Sequence, residues 1–133
     1  MNKNATSINL KLVKSKELIR EAKILIENDG YNSVISRLYY ACYHATSALM
    51  LTKELQSKTH KGLAGLLHKE FVSNGLFDVK HSIFFSKLMQ ERTEDDYGDF
   101  LIADKEEVKS FMEPAIEYIN YVEKLIATHE NIL

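Results

Sequence analysis

Residues 36–45 read SRLYYACYHA, with Arg37 and His44 seven positions apart and Tyr39, Tyr40 and Tyr43 between them. A helix turns about 100° per residue, so this spacing brings Arg37 and His44 to within about 20° of one another. Ala41 and Ala48 fall on the same stripe, flanked by Tyr40 and Ser33. Leu38, Cys42, Ala45 and Leu49 gather on a second face, the one assigned to the core. A stripe of small residues lets a ligand or another helix approach closely. At about 1.5 Å rise per residue the Arg37 and His44 Cα atoms stand about 10 Å apart. That span suits two neighbouring phosphates, or two copies of the helix facing each other, better than one phosphate held from both ends.

Outward from this helix, expected over residues 32–54, the pattern stays helical. Between Ile8 and Glu27 apolar residues return at Leu12, Leu18, Ile19, Ala22, Leu25 and Ile26, tracing one face of a first helix. NDGY (28–31) reads as its stop, with Gly30 placed as the C-cap. SKTHKG (57–62) is polar, a loop or the start of a helix, and LAGLLHKEFVSNG (63–75) gives a third amphipathic segment ending on Gly75. VKHSIFFSKLMQERTE (79–94) gives a fourth, and DDYGDFLIA (95–103) is expected to be a loop. Asp104 and Glu107 have the spacing of a capping box. Val108, Phe111, Met112, Ala115, Ile119, Val122 and Ile126 then mark a long last helix, which Pro114 should kink. Strand alternation and hairpin turns are lacking. The expectation is a single all-α domain over residues 1–133, an up-and-down bundle of four to five helices.

The 133-residue chain is long enough for a real core, and its formal charge of −2 gives no global pull toward nucleic acid or membrane. Any RNA contact must come from a local patch. A lone cysteine, Cys42, excludes intramolecular disulfides and Cys-rich zinc sites. The opening MNKNATSINLKLVK lacks the apolar core of a signal peptide, and no run approaches a membrane span. A soluble, cytoplasmic protein is expected.

Two other constellations stand out. Thr59, His60 and Lys61 open a run in a locally basic region with Lys53, Lys58 and Lys69, and a helix starting there would offer backbone N–H groups to phosphate or RNA. The plainer reading is a solvated helix cap. Residues 92–107 hold seven acidic side chains, but no histidine and no calcium-loop order, so neither a metal nor a cofactor is expected.

SRLYYACYHA, followed by KTHKGL and ERTEDDYGDF, resembles the HEPN domains of prokaryotes, over roughly residues 10–126. The resemblance implies a helical bundle that pairs into a homodimer. It also implies a metal-independent endoribonuclease of toxin–antitoxin type, its Arg/His motif supplied by Arg37 and His44, neutralised by a minimal nucleotidyltransferase antitoxin. In such a site His44 would move the proton of the attacking 2′-OH, and Arg37 would fork onto the phosphorane oxygens. Tyr40 would stack on a base or donate to a phosphate. Asp96 and Tyr97 coincide with the family's Asp-Tyr pair, and Asp96 is expected to orient Arg37 or His44. Two alternatives stand beside the ribonuclease. One is a catalytically silent module that binds a nucleotide or assists a separately encoded nucleotidyltransferase, and Leu38, where active ribonucleases often carry a polar residue, is compatible with it. The other is an interaction scaffold whose Arg37 pairs with a carboxylate and whose His44 is a satisfied core histidine.

Overall fold

The apolar periodicities become helices in the expected order. In a computed structural model, α1 (Ala5–Glu27) is followed by one 3₁₀ turn (Tyr31–Ser33) and by α2 (Val34–Leu51). Short α3 (His60–Leu67) widens into a π turn over His68–Val72, and the long helices α4 (Val79–Tyr97) and α5 (Lys105–Ile132) complete the chain. Residues 3–97 and 104–132 are described, without the side chains of 93–97 and 129–132. Among them there is no strand.

Side-chain contacts fix the topology. Along α1 and α2, Asn4 donates to the Leu51 carbonyl, Ser15 to the Ala41 carbonyl, and Glu21 faces Arg37. Numbers rise on one helix as they fall on the other, so the two are antiparallel. Cys42 and Thr46 of α2 meet Ala115 and Tyr118 of α5, which makes that pair parallel. Phe77 and His81 meet Tyr121, whereas Phe84 reaches Phe111, so α4 runs against α5. The four long helices therefore go up, down, up and down, with α3 packed on α2 and the π turn after it on α4.

Helix α2 is the centre of the bundle. Leu38, Cys42, Ala45 and Leu49 are fully buried, as assigned. So are Val34, Tyr39, Ala41, Thr46, Ala48 and Met50, which spreads the buried surface over most of the helix circumference. Polar groups in this core are matched. The Thr46 hydroxyl bonds the Cys42 carbonyl (2.7 Å) and the Tyr118 hydroxyl (2.6 Å). Burial raises the pKa of both the Tyr118 phenol and the Cys42 thiol, which keeps them neutral.

Three expectations are corrected. Ala41 and Ala48 do not form an open stripe for a partner, because α1 lies over them. The Ser15 hydroxyl approaches the Ala41 carbonyl to 2.7 Å, a distance that only a small neighbouring side chain permits. Gly30 is not the left-handed cap. The helix ends at Asn28, Asp29 takes φ 60°, and Gly30 has φ −95° while its N–H returns to the Leu25 carbonyl. Asp tolerates that region better than most residues. The loop expected over 95–103 is not found at its start, since α4 continues through Tyr97, and residues 98–103 lie outside the described residues. Elsewhere Asp104 caps α5, its side chain accepting from the Glu106 N–H at 3.0 Å, and the helix continues through Pro114.

Candidate functional site

One stripe of α2 escapes the core. Ser36, Arg37, Tyr40, Tyr43, His44 and Ser47 are all half-buried, and helical spacing places them on a common face about 120° wide. Arg37 and His44 occupy the edge next to α1, and Tyr43 the edge toward α3.

At the α1 edge the surface gathers cationic groups beside Glu21. Arg37 Nε stands 3.8 Å from Glu21 Oε2, with 36% of the arginine side chain exposed. A contact of that length and exposure is a weak, screened ion pair. His44 is half-buried, its ring set edge-on to Tyr43 with centroids 5.6 Å apart. Among the described residues no hydrogen bond to its ring nitrogens is present, so it is not a satisfied core histidine. Burial first, then Lys11 and Lys14 of α1, lower its pKa below the usual imidazole value, which favours the neutral, proton-accepting form near neutral pH. Arg37, His44, Lys11 and Lys14 thus put positive or ionisable nitrogen on the α1 side of this face, in a chain whose net charge is −2.

At the other edge, aromatic side chains dominate. Tyr39 is fully buried, stacks on Phe85 at 5.8 Å, and shares a 2.6 Å hydrogen bond with His60 Nδ1. The Tyr40 and Tyr43 rings stand 5.9 Å and 4.9 Å from the His60 ring. From α4 the Arg92 guanidinium sits over the Tyr39 and Tyr40 rings at 5.1 Å and 5.7 Å, and its Nη1 reaches the Tyr40 hydroxyl at 3.5 Å. Such cation–π contacts contribute about 0.5–2 kcal/mol. Tyr40 is therefore held by Arg92 and His60 rather than free to swing. Burial, with Arg92 adding to it, lowers the His60 pKa.

The remaining candidates divide. Thr59 is the N-cap of α3, its hydroxyl accepting from the Gly62 N–H at 2.9 Å, which is the plain capping role. Lys61 is exposed beside it. Asp96 and Tyr97 belong to the last turn of α4, one turn beyond Arg92, and their side chains lie outside the described residues. No group of side chains among the described residues could hold a metal ion, and no described helix is long and apolar enough to cross a membrane.

Sequence reasoning missed Lys11, Lys14, Tyr39, Tyr43 and Arg92. For the lysines a signal existed in their i, i+3 spacing on the first helix. For Arg92 it was the position at the head of ERTEDDYGDF. For Tyr39 and Tyr43 the sequence placed them between Arg37 and His44 without saying what they faced.

Known proteins resemble this chain in sequence. A UPF0332 protein of Thermotoga maritima is 30% identical over 126 residues, covering 95% of this chain and 96% of its own length. Two proteins of Methanocaldococcus jannaschii carry the names "Putative toxin MJ0142" and "Putative toxin MJ0605". They are 29% and 31% identical, over 90% and 84% of this chain and 81% and 83% of their own lengths. The sequence model of the HEPN domain matches residues 10–125. With that match spanning nearly all of the helical bundle, the chain belongs to the HEPN domain family.

Proposed function

We propose that this HEPN protein is a toxin-like, metal-independent endoribonuclease that works through Arg37 and His44. The observation that carries the reading is His44 itself, half-buried, without a hydrogen bond to its ring among the described residues, on the same face as Arg37 and close to Lys11 and Lys14. Cleavage by the substrate's own 2′-OH needs a base to take that proton and a cation for the charge gathering on the phosphorane oxygens. A neutral imidazole with a lowered pKa supplies the first, worth about 10²–10⁴ in rate. The Arg37 fork supplies the second once phosphate displaces Glu21, an exchange that breaks only a weak exposed pair. Lys11 and Lys14 would draw the RNA backbone along the groove. The family resemblance and the relatives' toxin names support two partners, a second copy of the chain bringing its own Arg/His face alongside, and a minimal nucleotidyltransferase antitoxin.

A second reading keeps the groove and drops the chemistry, leaving a silent module that binds a nucleotide or helps a nucleotidyltransferase. The closeness of Lys11 and Lys14 to His44 favours it, because these cations and Arg37 could hold an anion without any proton transfer. Incubating the purified protein with single-stranded RNA in excess chelator separates the two. New ends bearing 2′,3′-cyclic phosphate support the ribonuclease. Intact RNA, together with saturable binding of a mononucleotide, supports the module.

A further inference from the structure

His44 can take a proton but cannot also return one to the departing oxygen within the same step. Transesterification of RNA needs both transfers. The 2′-O–P bond forms as the 2′-OH loses its proton, and the P–O5′ bond breaks as the 5′-oxygen gains one.

A second imidazole lies on the same surface. The His44 and Tyr43 ring centres are 5.6 Å apart and those of Tyr43 and His60 4.9 Å, so the two imidazoles are at most about 10.5 Å from each other. Proton-transfer nitrogens must come within about 3 Å of their oxygens. Attacking and leaving oxygens stand roughly in line across phosphorus, so the whole array spans on the order of 10 Å. The half-buried Tyr43 ring lies between the two histidines as a floor on which ribose or base could rest.

His60 also differs from His44 in its support. Its Nδ1 is bonded at 2.6 Å to the hydroxyl of buried Tyr39, whose ring is fixed between Phe85 and Arg92. Burial raises the Tyr39 pKa, so the phenol keeps its proton. A neutral hydroxyl both donates and accepts. It can donate to Nδ1 when His60 is neutral and accept from Nδ1–H when His60 is charged, holding the ring through both states and leaving Nε2 as the nitrogen for proton transfer. The groups around His60 are Tyr39, Tyr40 and Tyr43 from α2, Arg92 from α4, and Lys61 on its own helix. Burial and then Arg92 oppose the charged form, and a Tyr39 hydroxyl accepting from Nδ1–H would support it.

We propose that His60 is the general acid of this site, protonating the 5′-oxygen as it leaves, with Tyr39 as its positioning residue and His44 as the base. The inference rests on the ribonuclease reading above and adds the second half of its proton traffic. In the balanced step the 2′-OH proton passes to His44, the His60 imidazolium gives its Nε2 proton to O5′, and the two histidines re-equilibrate with water.

The test uses the intact protein and two single-stranded RNA substrates, one natural and one with sulfur replacing the bridging 5′-oxygen, whose thiolate leaves without protonation. His60→Ala and His60→Gln should each cut natural RNA about 10²–10⁴-fold more slowly. Gln guards against a folding defect, since its amide can still bond Tyr39 but transfers no proton. Both variants should recover most of their rate on the sulfur substrate, whereas His44→Ala should fail on both substrates. Tyr39→Phe should lose rate on natural RNA, recover it on the sulfur substrate, and move the alkaline limb of the pH profile to lower pH. Natural RNA cut at the wild-type rate by folded His60→Gln, or an equal loss on both substrates, would overturn the role of His60 alone. A wild-type protein that cuts neither substrate would overturn the ribonuclease reading and this role with it.

Discussion

Replacing Ala41 with Leu distinguishes a stripe that seats α1 from one that waits for a partner. Ala41 is fully buried, and the Ser15 hydroxyl reaches its carbonyl at 2.7 Å across the α1–α2 contact. Three extra carbons have no space there, and overpacking of this kind costs about 1–3 kcal/mol, occasionally more. Displacing Ser15 would add the loss of a buried hydrogen bond, about 0.5–1.5 kcal/mol. For a chain of this length each kcal/mol lowers Tm by roughly 3–6 °C. A drop of about 5–27 °C is therefore expected, read by thermal circular dichroism. His44→Ala at the half-exposed margin of the same helix should cost less than about 1 kcal/mol. Sedimentation of the variants completes the experiment. An Ala41→Leu protein with unchanged Tm that has lost self-association would show the stripe open to a second copy, and the packing argument would fall.

Other consequences concern the core and the acid–base groups. Thr46→Val removes the partner of the buried Tyr118 hydroxyl and should destabilise by about 1–3 kcal/mol, whereas the Thr46→Val/Tyr118→Phe pair should cost less than the sum of its singles in denaturant titration. Burial and neighbouring cations lower both the His44 and the His60 pKa from about 6.5. A base must lose its proton and an acid must keep it. The kcat/KM profile should therefore be bell-shaped, its limbs set by the two lowered imidazole pKa values and its peak on the acid side of 6.5. A profile still rising above pH 7 would contradict that assignment.

The helices were legible because each buries a face at 3.6-residue spacing, and the core positions Leu38, Cys42, Ala45 and Leu49 followed from that alone. What covers a face was not legible. Ala41 and Ala48 announce close approach, yet the same pattern fits a helix of the same chain or of another copy, and the chain's own α1 is tethered by a short turn and so at high effective concentration. Arg37 and His44 were found through spacing within one helix. The partnership of Tyr39 with His60 joins residues 21 positions apart on different helices, and no periodicity carries such a contact. Gly30 drew the cap because Gly is favoured at φ > 0, but Asp29 took the left-handed position. A Cβ on Gly30 would meet Leu25 Cδ2 at 3.0 Å, a tight contact that a small shift of that leucine would relieve.

The most direct measurement is RNA cleavage by wild-type protein, His44→Ala and Arg37→Lys in excess chelator, with folding of each checked by circular dichroism. Wild type should release fragments ending in 2′,3′-cyclic phosphate. His44→Ala should be slower by about 10²-fold or more for want of its base, and Arg37→Lys should lose most activity because an ammonium cannot copy the planar fork. Equal cleavage by all three folded proteins would contradict the account, placing the chemistry somewhere other than the Arg37/His44 groove.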